Sequence, residues 1–294
     1  MTAMTGKYGV DRHVVDVARF CSQTSGYQAT VSSSLDLPDL TTDEYAEEQL
    51  RLNEKKLLDF VLPLIRASGA SRVLDVGCGI GRMVTALETA GFEGYGVDLS
   101  GLQGRWKDGS LSPARFFVVG PEHLSLPFRD CSLDFVFSLG VIEHVGTTDG
   151  HADRAVDYHE RRAQWTREIF RVLAPGGQML LAGPNRTFPI DVAHGLDSRA
   201  SQWEKTVSRW LGASLHKTWG DNFLWGYADL QRYLAGLECS IQPVSVANYL
   251  HFSRVPASVH GLVRFYVRHL PQFLLGTWMN PWMAALVTKA RKPG

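Results

Sequence analysis

Between Ser71 and Pro184, short apolar runs alternate with amphipathic stretches. "SRVLDVG", "EGYGVDLS", "ARFFVVG", "LDFVFSLGVIEHV" and "GQMLLAGP" read as five short strands. "GRMVTALETAG" follows the first and stops at Gly91, and "HERRAQWTREIFRVLAPGG" follows the fourth; both read as helices. Strands alternating with helices predict an α/β fold, with a parallel sheet covered by helices on both faces.

The flanks follow other patterns. "TTDEYAEEQLRLNEKKLLDFVLPLIRASG" reads as a helix that Thr42 or Asp43 caps and Gly69 ends. Leu50, Leu57, Leu58, Val61, Leu62 and Ile65 form its apolar stripe. The Ser/Thr-rich stretch 22–42 before it reads as a loop. Residues 185–226 are rich in aromatics and show no clean strand. "GYADLQRYLAGLE" restores a helix, and "CSIQPVSVANYL" and "NPWMAALVTKA" read as the last two strands, with too much chain between them for a hairpin. The expected organisation is therefore an N-terminal helical cap segment (1–59), a core (60–184), a cap insertion (185–225) and the end of the core (226–294), with a second insertion at about 251–280. Open α/β sheets bind ligands at the carboxyl ends of their strands, so the cap is expected there.

"VLDVGCGIGRM" places Gly77, Gly79 and Gly81 directly after the first strand. Such a turn lets a ligand approach the backbone closely. A dinucleotide would require G-x-G-x-x-G, and the third position here is Arg82. Asp75 would also set a negative charge beside a pyrophosphate. A sulfonium donor, S-adenosylmethionine, carries an ammonium group and no phosphate, so it suits Asp75. Asp98 ends the second strand and can accept from ribose hydroxyls, a feature both cofactor classes share.

"VLDVGCGIGR" with "GVDLS", then "LPFRDCSLDFVFSLGVIEHV", then "REIFRVLAPGGQMLL", resemble the successive motifs of class I S-adenosylmethionine-dependent methyltransferases, over about residues 70–184. The most similar branch is the ubiquinone/menaquinone-biosynthesis-like, small-molecule one. The resemblance implies a Rossmann-like, seven-stranded, mostly parallel sheet whose last strand is antiparallel. It also implies direct methyl transfer from the sulfonium, giving S-adenosylhomocysteine. By position, Asp75, Gly77, Cys78 and Gly79 surround the methionine part, Asp98 holds the ribose, Leu99 packs on the adenine and Leu139 closes the methionine side. The family often has an acidic residue after the third strand to bind the adenine. This chain has Pro121 there, with Glu122 or His123 as substitutes. The family motif requires no metal, and none is expected.

An alcohol acceptor needs a general base. His144 follows Glu143 at the end of the fourth strand, and His194 lies just after the fifth with Asp191 three residues earlier to orient it. Both histidines also have a purely structural reading. Asp149, Asp153 and Asp157 recur every four residues near His151 and His159, as a metal or acceptor site or as a solvated helix start. Trp203, Trp210, Trp219, Phe223, Trp225 and Tyr227 recur in the first insertion, and Phe265, Tyr266, Phe273, Trp278 and Trp282 in or beside the second, among Arg264, Arg268 and His269. They read as an acceptor pocket, a lipid-facing patch or the cap's own core.

Composition narrows the partners. Lys+Arg and Asp+Glu both total 30, which offers no broad electrostatic attraction to nucleic acid. Cys21, Cys78, Cys131 and Cys239 are far apart, so no zinc or redox pair is expected and a reducing cytoplasm is. "MTAMTGKYGV" lacks a signal-peptide core, and no apolar run is long enough to span a bilayer. The expected enzyme methylates a lipophilic or aromatic small molecule, quinone-like or a natural product, with O-methylation first. The alternatives are C-methylation, a cofactor-binding cyclase, a catalytically idle binding protein and a nicotinamide-dependent oxidoreductase. Peripheral membrane contact and a homodimer complete the expected partners.

Overall fold

A computed structural model describes residues 55–98, 115–118, 125–147, 153–191, 194, 196–197, 199–249 and 257–291. A π-helical turn (Leu57–Val61) runs into α1 (Leu62–Ser68), which ends where Gly69 turns left-handed at φ 71°. There follow β1 (Arg72–Val76), α2 (Arg82–Thr89), β2 (Glu93–Asp98), β3 (Phe116–Val118) and β4 (Leu133–Leu139). After a 3-10 turn (Ile142–His144) come α3 (Tyr158–Val172), β5 (Leu173–Pro184), β6 (Ile190–Asp191), α4 (Gln202–Leu211) and β7 (Ser214–Leu215). The described chain closes with α5 (Tyr227–Tyr233), β8 (Cys239–Pro243), α6 (His260–Arg268) and β9 (Trp282–Lys289).

Seven strands form one sheet in the order β3-β2-β1-β4-β5-β9-β8, with β1 parallel to β2 and β4, and β2 parallel to β3. This is the expected α/β, Rossmann-like, mostly parallel architecture. The differences are local. β5 begins at Leu173, ahead of the Gly-Gly pair at which the sequence reading started it. β4 stops at Leu139, so the Glu-His pair sits on the 3-10 turn beyond it. Residues 185–226 do hold two short strands, β6 and β7, paired antiparallel. Asp153 and Asp157 precede α3 and lie outside any helix; Asp157 accepts from Arg161 at 3.0 Å. Asp149 and His151 lie outside the described residues.

The chain divides into two compact units. The first comprises Met1–Ser138, Trp165–Met179 and Thr288–Gly294. Its core includes Val73 and Leu74 of β1, Val97 of β2, and Val84 and Leu87 of α2. Gly96 in β2 permits that packing, since a Cβ there would come within 2.8 Å of Cys78 Sγ and 2.9 Å of Val84 Cγ2. The second unit comprises Leu139–Gln164 and Leu180–Val287, with Trp225, Leu230, Tyr233 and Met283 fully buried or nearly so. Its α4 carries a capping box: Ser201 and Glu204 satisfy each other's backbone N–H groups.

Candidate cofactor turn and histidine cluster

In the first unit, the strand-to-helix turn has the conformation its glycines predict. Gly77, Gly79 and Gly81 have φ of 87°, 53° and 80°, a region L side chains rarely occupy. Gly77 and Cys78 both donate to the Val97 carbonyl, and Gly79 donates to Asp98 Oδ2 at 2.6 Å. A Cβ on Gly79 would meet nothing within 4 Å, so its surface is open to an incoming ligand.

Asp75 is buried on β1. Burial, with Asp98 nearby, pushes its carboxyl well above the ordinary range, and the same burial raises the Cys78 thiol. A dry site with two acidic side chains favours a cationic ligand over a phosphate. The residues present therefore fit an ammonium- and sulfonium-bearing cofactor. Leu99, Glu122 and His123 lie outside the described residues.

In the second unit, Leu139 ends β4 and Gly140 follows at φ 72°, its N–H bonded to Ala182 O at 2.7 Å. The next turn carries Glu143 and His144. Arg162, wholly buried on α3, locks it: its guanidinium donates to the carbonyls of Glu143 (2.6 Å), Val145 (3.0 Å), Phe223 (2.5 Å) and Leu224 (3.4 Å). Glu143 is wholly buried, neither of its carboxylate oxygens has a hydrogen-bond partner among the described residues, and burial raises its carboxyl. Gly183 on β5 makes room for it. A Cβ there would lie 2.6 Å from Trp225 Nε1 and 2.9 Å from Glu143 Oε2.

The structure brings together the two histidines the sequence singled out. The rings of His144 and His194 stand edge-to-face at 5.1 Å, and Phe223 packs on His194 at 5.5 Å. One donor atom each from Glu143, His144 and His194 lies within 4.8 Å of the others. Asp191 lies against both the backbone and the ring of His194. Its Oδ1 accepts from the backbone N–H of His194 at 3.0 Å and stays 3.7 Å from ring Nδ1, so it pins the loop more closely than the imidazole. Asn185, just before, is also structural, donating to Thr277 O and Asn280 O.

The aromatics divide. Phe223 and Trp225 are core, whereas Trp203, Trp210 and Trp219 are exposed. Gly96, Gly183, Arg162 and the isolation of Glu143 were missed in the sequence reading. The "EH" pair signalled the turn but not its burial.

In this fold an acidic strand end, a three-glycine turn and a second acidic strand end stand in the order that the resemblance to class I, S-adenosylmethionine-dependent methyltransferases implies. Residues 74–181 match the family model described as a methyltransferase domain. S-adenosylmethionine is the cofactor of that domain. A probable tRNA methyltransferase 9B of Mus musculus is 30% identical over 159 residues, 51% of this chain and 30% of that protein. A 24-methylenesterol C-methyltransferase 2 of Oryza sativa subsp. japonica is 31% identical over 135 residues, 44% of this chain and 32% of the relative. The chloroplastic tocopherol O-methyltransferase of Arabidopsis thaliana is 28% identical over 184 residues, 56% of this chain and 48% of the relative. The chain spans less than half the length of each of these three.

Proposed function

We propose that the chain transfers a methyl group from S-adenosylmethionine to a lipophilic small molecule, with a hydroxyl as the favoured acceptor. The observation that carries the donor half is the buried Asp75 beside Asp98 at the open Gly79 turn. The cofactor supplies an electrophilic methyl on a sulfonium. Asp75 and the Gly77–Gly79 backbone bind and orient its methionine part, and Asp98 takes the ribose. His194 or His144 accepts the acceptor's proton, and Phe223 shields the pair from water on one side. Residues 1–59, 185–225 and 251–280 select the acceptor.

Two further observations support an apolar acceptor. The relatives include enzymes named for a tocopherol and for a sterol. The second insertion also turns apolar residues outward. On α6, Leu262, Phe265 and Tyr266 share one exposed face at i, i+3 and i+4, which His269, capping the helix, continues at i+7, while Val267 is buried. Phe273 and Trp278 extend the exposed set. From Cys239 to Gly294 the chain has no acidic residue, and Arg264 and Arg268 lie on the same helix as the apolar face. That chemistry suits an anionic lipid surface, from which a lipophilic acceptor is drawn. Among the described residues no helix is long and apolar enough to cross a membrane.

The relative named for tRNA favours a second acceptor class. Incubation with methyl-labelled cofactor and two acceptor pools, hydrophobic phenols and total tRNA, separates them. Label in an ether-linked lipophilic product is expected. Label in tRNA alone overturns the acceptor class, and no transfer to either overturns the methyltransferase reading.

A further inference from the structure

We propose that the cavity beside the second half of α4 binds an oxyanion, and that this oxyanion, a carboxylate or a phosphate, is the polar end of the methyl acceptor. The cavity has a volume of about 350 Å³, and its lining includes Leu196, Lys205, Ser208, Arg209 and Ser214. All of these residues belong to the second unit. The acceptor half of the inference rests on the reading of the chain as a methyltransferase for lipophilic molecules; the oxyanion half does not.

Lys205 and Arg209 stand four residues apart on α4 and so share one side of the helix. Among the described residues neither side chain forms an ion pair, and no acidic residue lines the cavity. The acids close by in the chain are engaged elsewhere. Glu204, buried, accepts from Ser201 and from the Lys217 backbone, and pairs with the Lys217 ammonium. Asp197, next to Leu196, accepts from the backbones of Arg199 and Phe223. Two like charges at this helical spacing repel, and an oxyanion between them replaces repulsion with charge-assisted hydrogen bonds. Arg209 offers a planar fork of donors and Lys205 a point charge. Ser214 adds a hydroxyl, whereas Ser208 Oγ already accepts from the Leu215 amide at 2.8 Å.

The walls of the cavity continue the loop that carries His194. Leu196 follows His194 by two residues, a reach of at most about 7 Å. Ser214 pairs with Asp191 across β6 and β7, and Asp191 holds the His194 backbone. An acceptor with its hydroxyl at His194 and an oxyanion in the cavity is held at both ends. Anchoring the far end fixes the orientation of the reacting end, so the cavity selects, among lipophilic hydroxyl compounds, those that carry an acidic group.

The test has two arms. In the first, inorganic phosphate is titrated into the full chain at low ionic strength and followed by its phosphorus NMR line width. Saturable binding is expected, weakened at least about tenfold by Lys205→Ala with Arg209→Ala at an unchanged circular dichroism spectrum. Removing the same charge at exposed positions outside the cavity, by Arg66→Ala with Arg129→Ala, should leave binding as in wild type. No saturable binding, or an equal effect of the two double variants, overturns the oxyanion site. In the second arm, methyl-labelled cofactor is offered with two hydrophobic phenols, alike except that one ends in a carboxylate and the other in its methyl ester. The carboxylate should be preferred at least about tenfold in kcat/KM, through KM, and the cavity variant should lose that preference. Equal use of the two phenols by wild type overturns the assignment of the oxyanion to the acceptor and leaves a site for free phosphate. Transfer to neither phenol by a chain that binds phosphate overturns the methyltransferase reading, and the acceptor assignment with it, and leaves the oxyanion site standing.

Discussion

Asp98 Oδ2 accepts a 2.6 Å hydrogen bond from the Gly79 amide, so the acid ending β2 also braces the glycine turn after β1. The residue expected to hold the ribose thus shapes the binding loop as well. Asp98→Ala should weaken S-adenosylhomocysteine binding by about 10- to 100-fold, as expected for loss of charge-assisted hydrogen bonds worth about 1.5–3 kcal/mol. The variant should also melt earlier without ligand. Calorimetry showing unchanged affinity counts against the assignment of the turn.

Asp75 gives a pH signature. Burial and Asp98 raise its carboxyl well above the ordinary value of 3.8 in the folded chain. The folded protein therefore keeps a proton that the unfolded chain releases above that value. This stabilising contribution is complete at lower pH and is lost as pH rises toward the folded pKa. Asp75→Asn removes the loss. The ligand-free variant should match wild type near pH 4 and melt higher than it toward neutrality, while binding cofactor more weakly. Melting curves at several pH values check the first effect and calorimetry the second. A stability difference that shrinks as pH rises contradicts the assignment.

Two strand glycines have a packing reason. A Cβ on Gly183 would enter the space of Trp225 Nε1 and Glu143 Oε2, and one on Gly96 that of Cys78 and Val84. Gly183→Ala and Gly96→Ala should each cost about 1–3 kcal/mol through overpacking, seen as a lower denaturant midpoint with an unchanged slope. A midpoint unchanged in either variant would argue against the packing reason for that glycine.

The local features were legible in the sequence, and the long-range ones were not. β1 to β4, the glycine turn and Asp98 follow from runs of a few residues, where apolar patterning and glycine conformation act directly. Arg162 joins the His144 turn, through backbone carbonyls, to Phe223, which packs on His194, and no periodicity encodes that. Asp191 illustrates the limit. Its spacing of three from His194 correctly indicated contact, but whether the backbone or the ring receives the carboxylate depends on the turn. Aromatic composition was equally mute: Trp225 is core while Trp210 is exposed, and only the tertiary neighbours separate them.

The outward face of α6 carries the last prediction. Leu262 and Phe265 are exposed in a segment that has basic residues and no acidic ones, so their removal leaves the core intact and should act only on association with a lipid surface. Burying each should contribute about 1.5–3 kcal/mol to partitioning, and the arginines should make binding depend on anionic lipid and fall with salt. The full chain should sediment with phosphatidylglycerol-containing vesicles and far less with neutral phosphatidylcholine ones. Leu262→Ser with Phe265→Ser should reduce vesicle binding more than tenfold at an unchanged melting temperature, because neither side chain packs in the core. Equal binding to both vesicle types, or a double variant that binds as wild type, would mean this face meets something other than an anionic bilayer. A melting temperature that falls with the double variant would instead assign the two side chains to the fold.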